Sequence, residues 1–111
     1  MIKFPKRGEV YWVRLDPAIG SEIKKTRPGL IVSNDVGNEV STRVIVAPIT
    51  SEAKKLYPFE AEIILKGNRN KVLLDQMRTL DKRRLGEKMA EVSLDEMEKV
   101  DKALKLVLNL D

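Results

Sequence analysis

The chain has 111 residues, 42% hydrophobic and 34% charged, with no cysteine, no histidine and a formal net charge of +4. That length supports one core, so residues 1–111 are expected to form a single domain. Missing thiols exclude disulfides and cysteine nucleophiles, and missing imidazoles exclude the commonest general base and metal ligand, so any catalysis must use carboxylates, Arg, Lys or hydroxyls.

In chain order, Glu9 to Leu15 is β-branched and aromatic between Gly8 and the Asp16-Pro17 turn and reads as a strand. A polar segment of about ten residues follows from Ala18 to Arg27, a length that in a small domain often carries function. Gly29 to Ser33 and Arg43 to Pro48 read as two further strands, separated by turn-favouring Asn34 to Asn38. Phe59, Ala61, Ile63 and Leu65 alternate with Glu60, Glu62, Ile64 and Lys66, which predicts a half-buried strand ending at a Gly67-Asn68 turn. Lys71 to Leu74 resumes the sheet, and Glu87 to Val92 is a candidate to close it. Ser93 with Glu96 forms a capping-box pattern, and Leu94, Met97, Val100, Leu104, Val107 and Leu108 recur at helical spacing, so the chain ends in an amphipathic helix. Asp95–Lys99, Glu98–Lys102 and Asp101–Lys105 support its outer face. Short strands followed by one helix predict a mainly β fold, a small barrel with a C-terminal helix packed on it.

The charge is uneven. Residues 1–30 hold seven Lys and Arg against three Asp and Glu, while 31–70 hold five against five and 71–111 nine against nine, so the excess lies wholly in the first segment. A basic bias attracts phosphate backbones, although solubility alone produces one too. No stretch reaches the roughly 20 apolar residues of a membrane span, and the N-terminus lacks the apolar centre of a signal peptide, so a cytoplasmic protein without a membrane partner is expected.

Three constellations can carry chemistry. In Ser21 to Pro28, proline biases Arg27 toward extended backbone where the loop rejoins the sheet, and a fixed guanidinium there can grip phosphate; equally, Arg27 can pair with Glu22 or another acid. In Val46 to Ser51 an apolar strand runs into Thr50 and Ser51, hydroxyls suited either to phosphate oxygens or to capping the next turn. In Leu73 to Thr79 a buried-looking strand turns polar: Asp75 can accept a proton, Gln76 can read a base edge, and Arg78 can bind phosphate or pair with Asp75 or Asp81.

Taken together, Arg7 to Trp12, Gly20-Ser21-Glu22 leading to Thr26-Arg27-Pro28, Val32 to Asp35 with Gly37-Asn38, Val46 to Ser51, and Leu74 to Lys82 with Arg84-Leu85 resemble the MazF, Kid and PemK family of toxin ribonucleases, over nearly the whole chain. The resemblance implies an SH3-like β-barrel of the kind shared with CcdB, with a C-terminal amphipathic helix, assembled as a homodimer. It also implies sequence-specific cleavage of single-stranded RNA by 2′-hydroxyl attack, leaving a 2′,3′-cyclic phosphate and a 5′ hydroxyl. In-line attack needs a proton acceptor, a proton donor and stabilisation of charge, but no metal or other cofactor. The family's catalytic pair carries over to Arg27 and Thr50, with Asp75 as a further catalytic residue. Glu22, Lys24, Lys25, Thr26, Pro28, Ser51, Gln76 and Arg78 would contact RNA. A guanidinium stays charged to above about pH 12 and is a poor base, while relatives that use the acid matching Asp75 carry an Arg where Leu73 stands here, which shifts weight toward Arg27.

Few rings are present to stack on bases. Tyr11 and Trp12 alternate faces, so one of them belongs to the core, and Tyr57 is the candidate stacking residue. The implied partner is an antitoxin of the MazE kind whose acidic C-terminal peptide lies over the basic groove. The competing readings are a gyrase-poisoning toxin of the CcdB group, which lacks the Arg27-Pro28 and Thr50 pairing, and a non-catalytic SH3-like module binding RNA or protein.

Overall fold

Strand β1 (Glu9–Arg14) buries Val10 and Val13, and the next residue, Leu15, is also buried, so a run that looks uniformly apolar contributes to both faces of a sheet. In the computed structural model, which describes residues 3–15 and 26–111, β1 pairs antiparallel with β2 (Thr26–Ile31), and β2 with β3 (Arg43–Thr50). Strand β4 (Glu60–Leu65) pairs with β5 (Asn68–Leu73), β5 with the end of β3, β6 (Arg78–Asp81) with the start of β3, and β7 (Leu85–Glu91) with the outer side of β1. The result is a seven-stranded half-barrel in the order β4-β5-β3-β2-β1-β7, with β6 attached beside β3. Strand β3 is shared: Arg43 to Val46 serves β6, and Ile49 and Thr50 serve β5.

Two apolar clusters stabilise the sheet. One gathers Val10, Leu30, Ala47, Ile49, Ile63, Val72 and Leu74 under Met97, Val100 and Ala103 of the C-terminal helix α2 (Leu94–Val107). The other, on the opposite face of β1, β2 and β3, gathers Val13, Leu15, Ile31, Val44, Val46 and Leu80, with Tyr11 and Leu85 against it. Alternation therefore sends Tyr11 toward the core, whereas Trp12 is 41% exposed.

The capping box forms as expected, with Ser93 and Glu96 exchanging bonds. Glu96 does more than cap, because its second oxygen accepts from the Ile64 amide of edge strand β4 at 2.7 Å. Asp101 turns to Arg7 at 2.6 Å rather than along the helix to Lys105. Leu94, placed on the apolar stripe by its spacing, is 85% exposed at the helix start.

Three local expectations are corrected. Asn34 to Asn38 is not a turn: Asn34 caps a short helix α1 (Asp35–Val40), accepting from the Gly37 amide at 2.9 Å. Buried Asn38 donates to the Ser33 carbonyl at 2.9 Å. The β4–β5 reversal falls one residue early, on Lys66 and Gly67, whose φ angles of 52° and 81° suit a two-residue hairpin turn. Polar Arg78 to Asp81 is a strand, bracketed by single 3-10 turns at Leu74–Gln76 and Lys82–Arg84.

Candidate functional site

The register of the sheet brings Thr50 of the second constellation and Arg78 of the third to the face of Arg27. Gly29 pairs with Pro48 and Ile31 with Val46, so two steps beyond the last pair Arg27 and Thr50 occupy the same end of neighbouring strands. Because side chains alternate, Arg27, Gly29, Ile31, Val46, Pro48 and Thr50 share one face. Arg78 pairs with Val46 and Arg27 with Val13, which puts Arg78 on that face too. Three polar side chains from β2, β3 and β6 thus stand on the face built over the second apolar cluster.

Gly29 is what lets this face close. A Cβ there would lie 2.6 Å from a methyl of Val46 and 2.7 Å from one of Val13, so the two valines pack directly over a bare backbone. The sequence gives no hint of this contact, since a glycine at a strand start also reads as the end of a loop.

Arg27 is half-buried, and among the described residues no acid pairs with it. Glu22, the acid weighed for that pairing, lies outside the described residues, as do Lys24 and Lys25. Thr50 is 8% exposed, and its Oγ1 accepts from the Glu52 amide at 3.2 Å, so the capping use of this hydroxyl is realised. That bond occupies a lone pair and leaves the hydroxyl proton available to a further acceptor. Thr26 and Ser51 are exposed beside the pair, and Pro28 stands across β1 from Trp12 on the reverse face.

Asp75 is exposed in the 3-10 turn that follows β5, with Gln76 next to it. Asp81 does not bind Arg78; it pairs with Arg83 at 3.0 Å, whose guanidinium holds the Asp81 carboxyl below its ordinary range. Arg78 instead donates to the Leu15 carbonyl at 3.1 Å.

Lys71 is an element that sequence reasoning overlooked. It sits opposite Thr50 in the β3–β5 ladder, pairs with Glu60 at 2.9 Å with both side chains nearly covered, and donates to the Lys55 carbonyl at 2.7 Å. The same ammonium lies 5.6 Å from the centre of the Tyr57 ring, which stacks on Phe59 at 5.3 Å. Glu60 also accepts from the Tyr57 amide at 3.0 Å, so the segment after Thr50 is tied to β5 by a buried ion pair. The ion pair is diagonal, since Lys71 stands opposite Glu62 and Glu60 opposite Leu73, so simple matching of hairpin positions would have chosen the wrong acid.

The described residues contain no cluster of three or more acidic side chains able to hold a metal ion. No helix among them is long and apolar enough to cross a membrane.

Residues 6–108 match the family described as "PemK-like, MazF-like toxin of type II toxin-antitoxin system". The chain is 42% identical to "Endoribonuclease EndoA" of Bacillus subtilis (strain 168) over 110 residues, 95% of each chain. Among solved structures it resembles MazF from Deinococcus radiodurans, with a TM-score of 0.85 and 33% identity over 98% of this chain and all of that one. It also resembles a mycobacterial endoribonuclease solved in complex with its cognate antitoxin, with a TM-score of 0.81 and 29% identity over 96% of this chain and 97% of that one.

Proposed function

The chain belongs to the PemK-like, MazF-like toxin family of type II toxin-antitoxin systems, and from that premise we propose how its residues cut RNA. It is a toxin endoribonuclease, the activity named for its Bacillus subtilis relative. The observation that carries the mechanism is the pairing of Arg27 and Thr50 at one end of neighbouring strands on a single face.

The substrate is single-stranded RNA, attacked in line by its own 2′-hydroxyl. The phosphate gains a fifth oxygen and negative charge, which a fixed guanidinium is suited to stabilise through two parallel hydrogen bonds. Arg27, with no acid partner among the described residues, takes that role. Thr50 donates its proton to a phosphate oxygen while the Glu52 amide holds the hydroxyl oriented. Asp75 is the residue suited to accept the 2′-hydroxyl proton as the bond from O2′ to phosphorus forms; the bond from phosphorus to the 5′ oxygen breaks, Arg27 gives that oxygen a proton and regains one from solvent, and the products are a cyclic phosphate and a 5′ hydroxyl. No step requires a metal or another cofactor.

Ser51 and Gln76 are the proposed contacts for the RNA beside the pair, with Thr26 and Pro28 as contacts from the other face of β2; Glu22, Lys24 and Lys25, outside the described residues, are further proposed contacts. The working form is a homodimer in the cytoplasm, where messenger RNA is the target. It is silenced by an antitoxin; the mycobacterial relative was solved in complex with its cognate antitoxin, and a Deinococcus radiodurans relative as MazE-MazF.

The test is cleavage of a long mixed-sequence RNA in EDTA by wild type, Arg27→Ala and Thr50→Ala, with ends mapped by primer extension. Site-specific cuts by wild type and at least about 100-fold less cutting by each folded variant are expected. Cutting that survives both substitutions removes Arg27 and Thr50 from the mechanism, and cutting that EDTA abolishes overturns the metal-free scheme.

A further inference from the structure

Two arginines from the last third of the chain reach back to consecutive residues at the end of β1. Arg78 Nη1 donates to the Leu15 carbonyl at 3.1 Å, and Arg84 Nη1 donates to the Arg14 carbonyl at 3.1 Å. The partners are 63 and 70 residues apart in sequence. Strands β6 and β1 are not neighbours in the sheet, so the Arg78 contact joins two elements that the backbone ladder leaves unconnected.

The place they hold matters. Arg14 pairs with Thr26 and Val13 with Arg27, so the end of β1 is the ladder on which the backbone of Arg27 rests. On its outer side β1 is less evenly held, the ladder to β7 shifting register between Val10 and Tyr11 and again between Tyr11 and Val13, with Val13–Leu85 as the pair beyond the second shift. The two charged donors stand just past that uneven stretch. A guanidinium bound to a backbone carbonyl forms a strong directional bond.

We propose that Arg78 and Arg84 are positioning residues that clamp the end of β1 and thereby fix Arg27, rather than residues that bind the RNA backbone directly. Only the kinetic part of its test rests on the ribonuclease reading; the clamp itself is measurable without RNA.

The experiment uses the full chain with Arg78→Gln, Arg84→Gln and the conservative Arg78→Lys. Amide hydrogen exchange followed by NMR should rise about tenfold or more at Thr26 and Arg27 in each Gln variant and stay unchanged at Val100 in α2. On a short cleavable RNA, kcat should fall about tenfold with KM within about threefold, the pattern of an interaction lost in the transition state. Binding of an uncleavable 2′-deoxy oligonucleotide should keep its salt slope, because no phosphate contact is removed. Arg78→Lys keeps the charge but not the fork, and should show the exchange and kcat defects in milder form while remaining folded.

A salt slope reduced by about one, with exchange at Thr26 and Arg27 unchanged, would make Arg78 a phosphate ligand and overturn the clamp. Unchanged exchange, kcat and slope would overturn it as well. Wild type that cuts no RNA sinks the enzymatic reading alone, since the exchange measurement still decides whether the clamp exists.

Discussion

Thr50 and Lys71 face each other across the β3–β5 ladder, so the hydroxyl assigned to the phosphate and the ammonium that secures the neighbouring segment depend on one pair of strands. The Lys71–Glu60 ion pair, with side-chain exposures of 11% and 7%, is buried enough that losing one member leaves an uncompensated charge. Lys71→Met should lower unfolding free energy by about 3 kcal/mol, whereas Lys71→Met with Glu60→Leu should recover most of that loss. Urea midpoints of the two singles and the double decide it, and purely additive losses would mean the pair is not coupled.

Thr50→Val keeps the shape and removes the hydroxyl. It strands the Glu52 amide, for about 1 kcal/mol of stability, and should reduce the cleavage rate about 100-fold. Thr50→Ser retains the oxygen and should keep activity within about tenfold of wild type. Single-turnover cleavage alongside thermal melting separates the two effects. A Val variant that cuts at the wild-type rate would reduce Thr50 to a cap.

Gly29→Ala drives a methyl into Val13 and Val46 at distances no ordinary packing allows, 2.7 and 2.6 Å. A loss of about 2 to 3 kcal/mol is expected, and cutting should weaken because Arg27 is two residues away on the same face. Adding Val46→Ala should return part of the stability by clearing the nearer clash. Calorimetry of the single and double variants reads this directly, and a Gly29→Ala protein as stable as wild type would show that β2 and β3 can separate freely.

Tyr11 and Glu9 set opposite pH limits. Burial pushes the Tyr11 hydroxyl up to about 12, helped by the Glu9 carboxylate that accepts its proton at 2.8 Å. A proton held more tightly in the folded state gives stability that is complete below the ordinary tyrosine value of about 10 and lost as pH rises toward the folded value. Burial pushes Glu9 upward as well, but the Lys6 amide, Lys88 and the Tyr11 hydroxyl outweigh it and hold the carboxyl below its ordinary value. Its contribution is therefore present above roughly pH 4.5 and lost on acidification. Tyr11→Phe should flatten the alkaline decline between about pH 10 and 12 by on the order of 1 kcal/mol, and Glu9→Gln should flatten the acid one. Denaturant midpoints measured across pH check both, and declines identical to wild type would detach the cluster from stability.

What could be read in the sequence follows how each element is encoded. Strand β1 and helix α2 announce themselves through β-branched residues and through a capping box with helical spacing. Helix α1 does not, because six residues are too few to show a period and its capping Asn34 is also a turn former. Strand β6 was hidden because Arg78 and Asp81 point polar groups from a ladder whose buried partner, Leu80, is a single residue. The candidate pair Arg27 and Thr50 was legible as two motifs, yet nothing local reveals that the register aligns them. Gly29, Lys71 and Arg84 stayed unseen for the same reason: each acts through a contact with a strand distant in sequence.

Strand β1 receives its outer neighbour only when β7 forms, with Glu9 meeting Glu91 and Val13 meeting Leu85. During synthesis the first strand waits for nearly the last, and pairings of such long separation are slow to close. The ladder on which the backbone of Arg27 rests therefore gains its outer support only from a strand about seventy residues further along the chain, so the seating of that residue depends on a contact far from it in sequence.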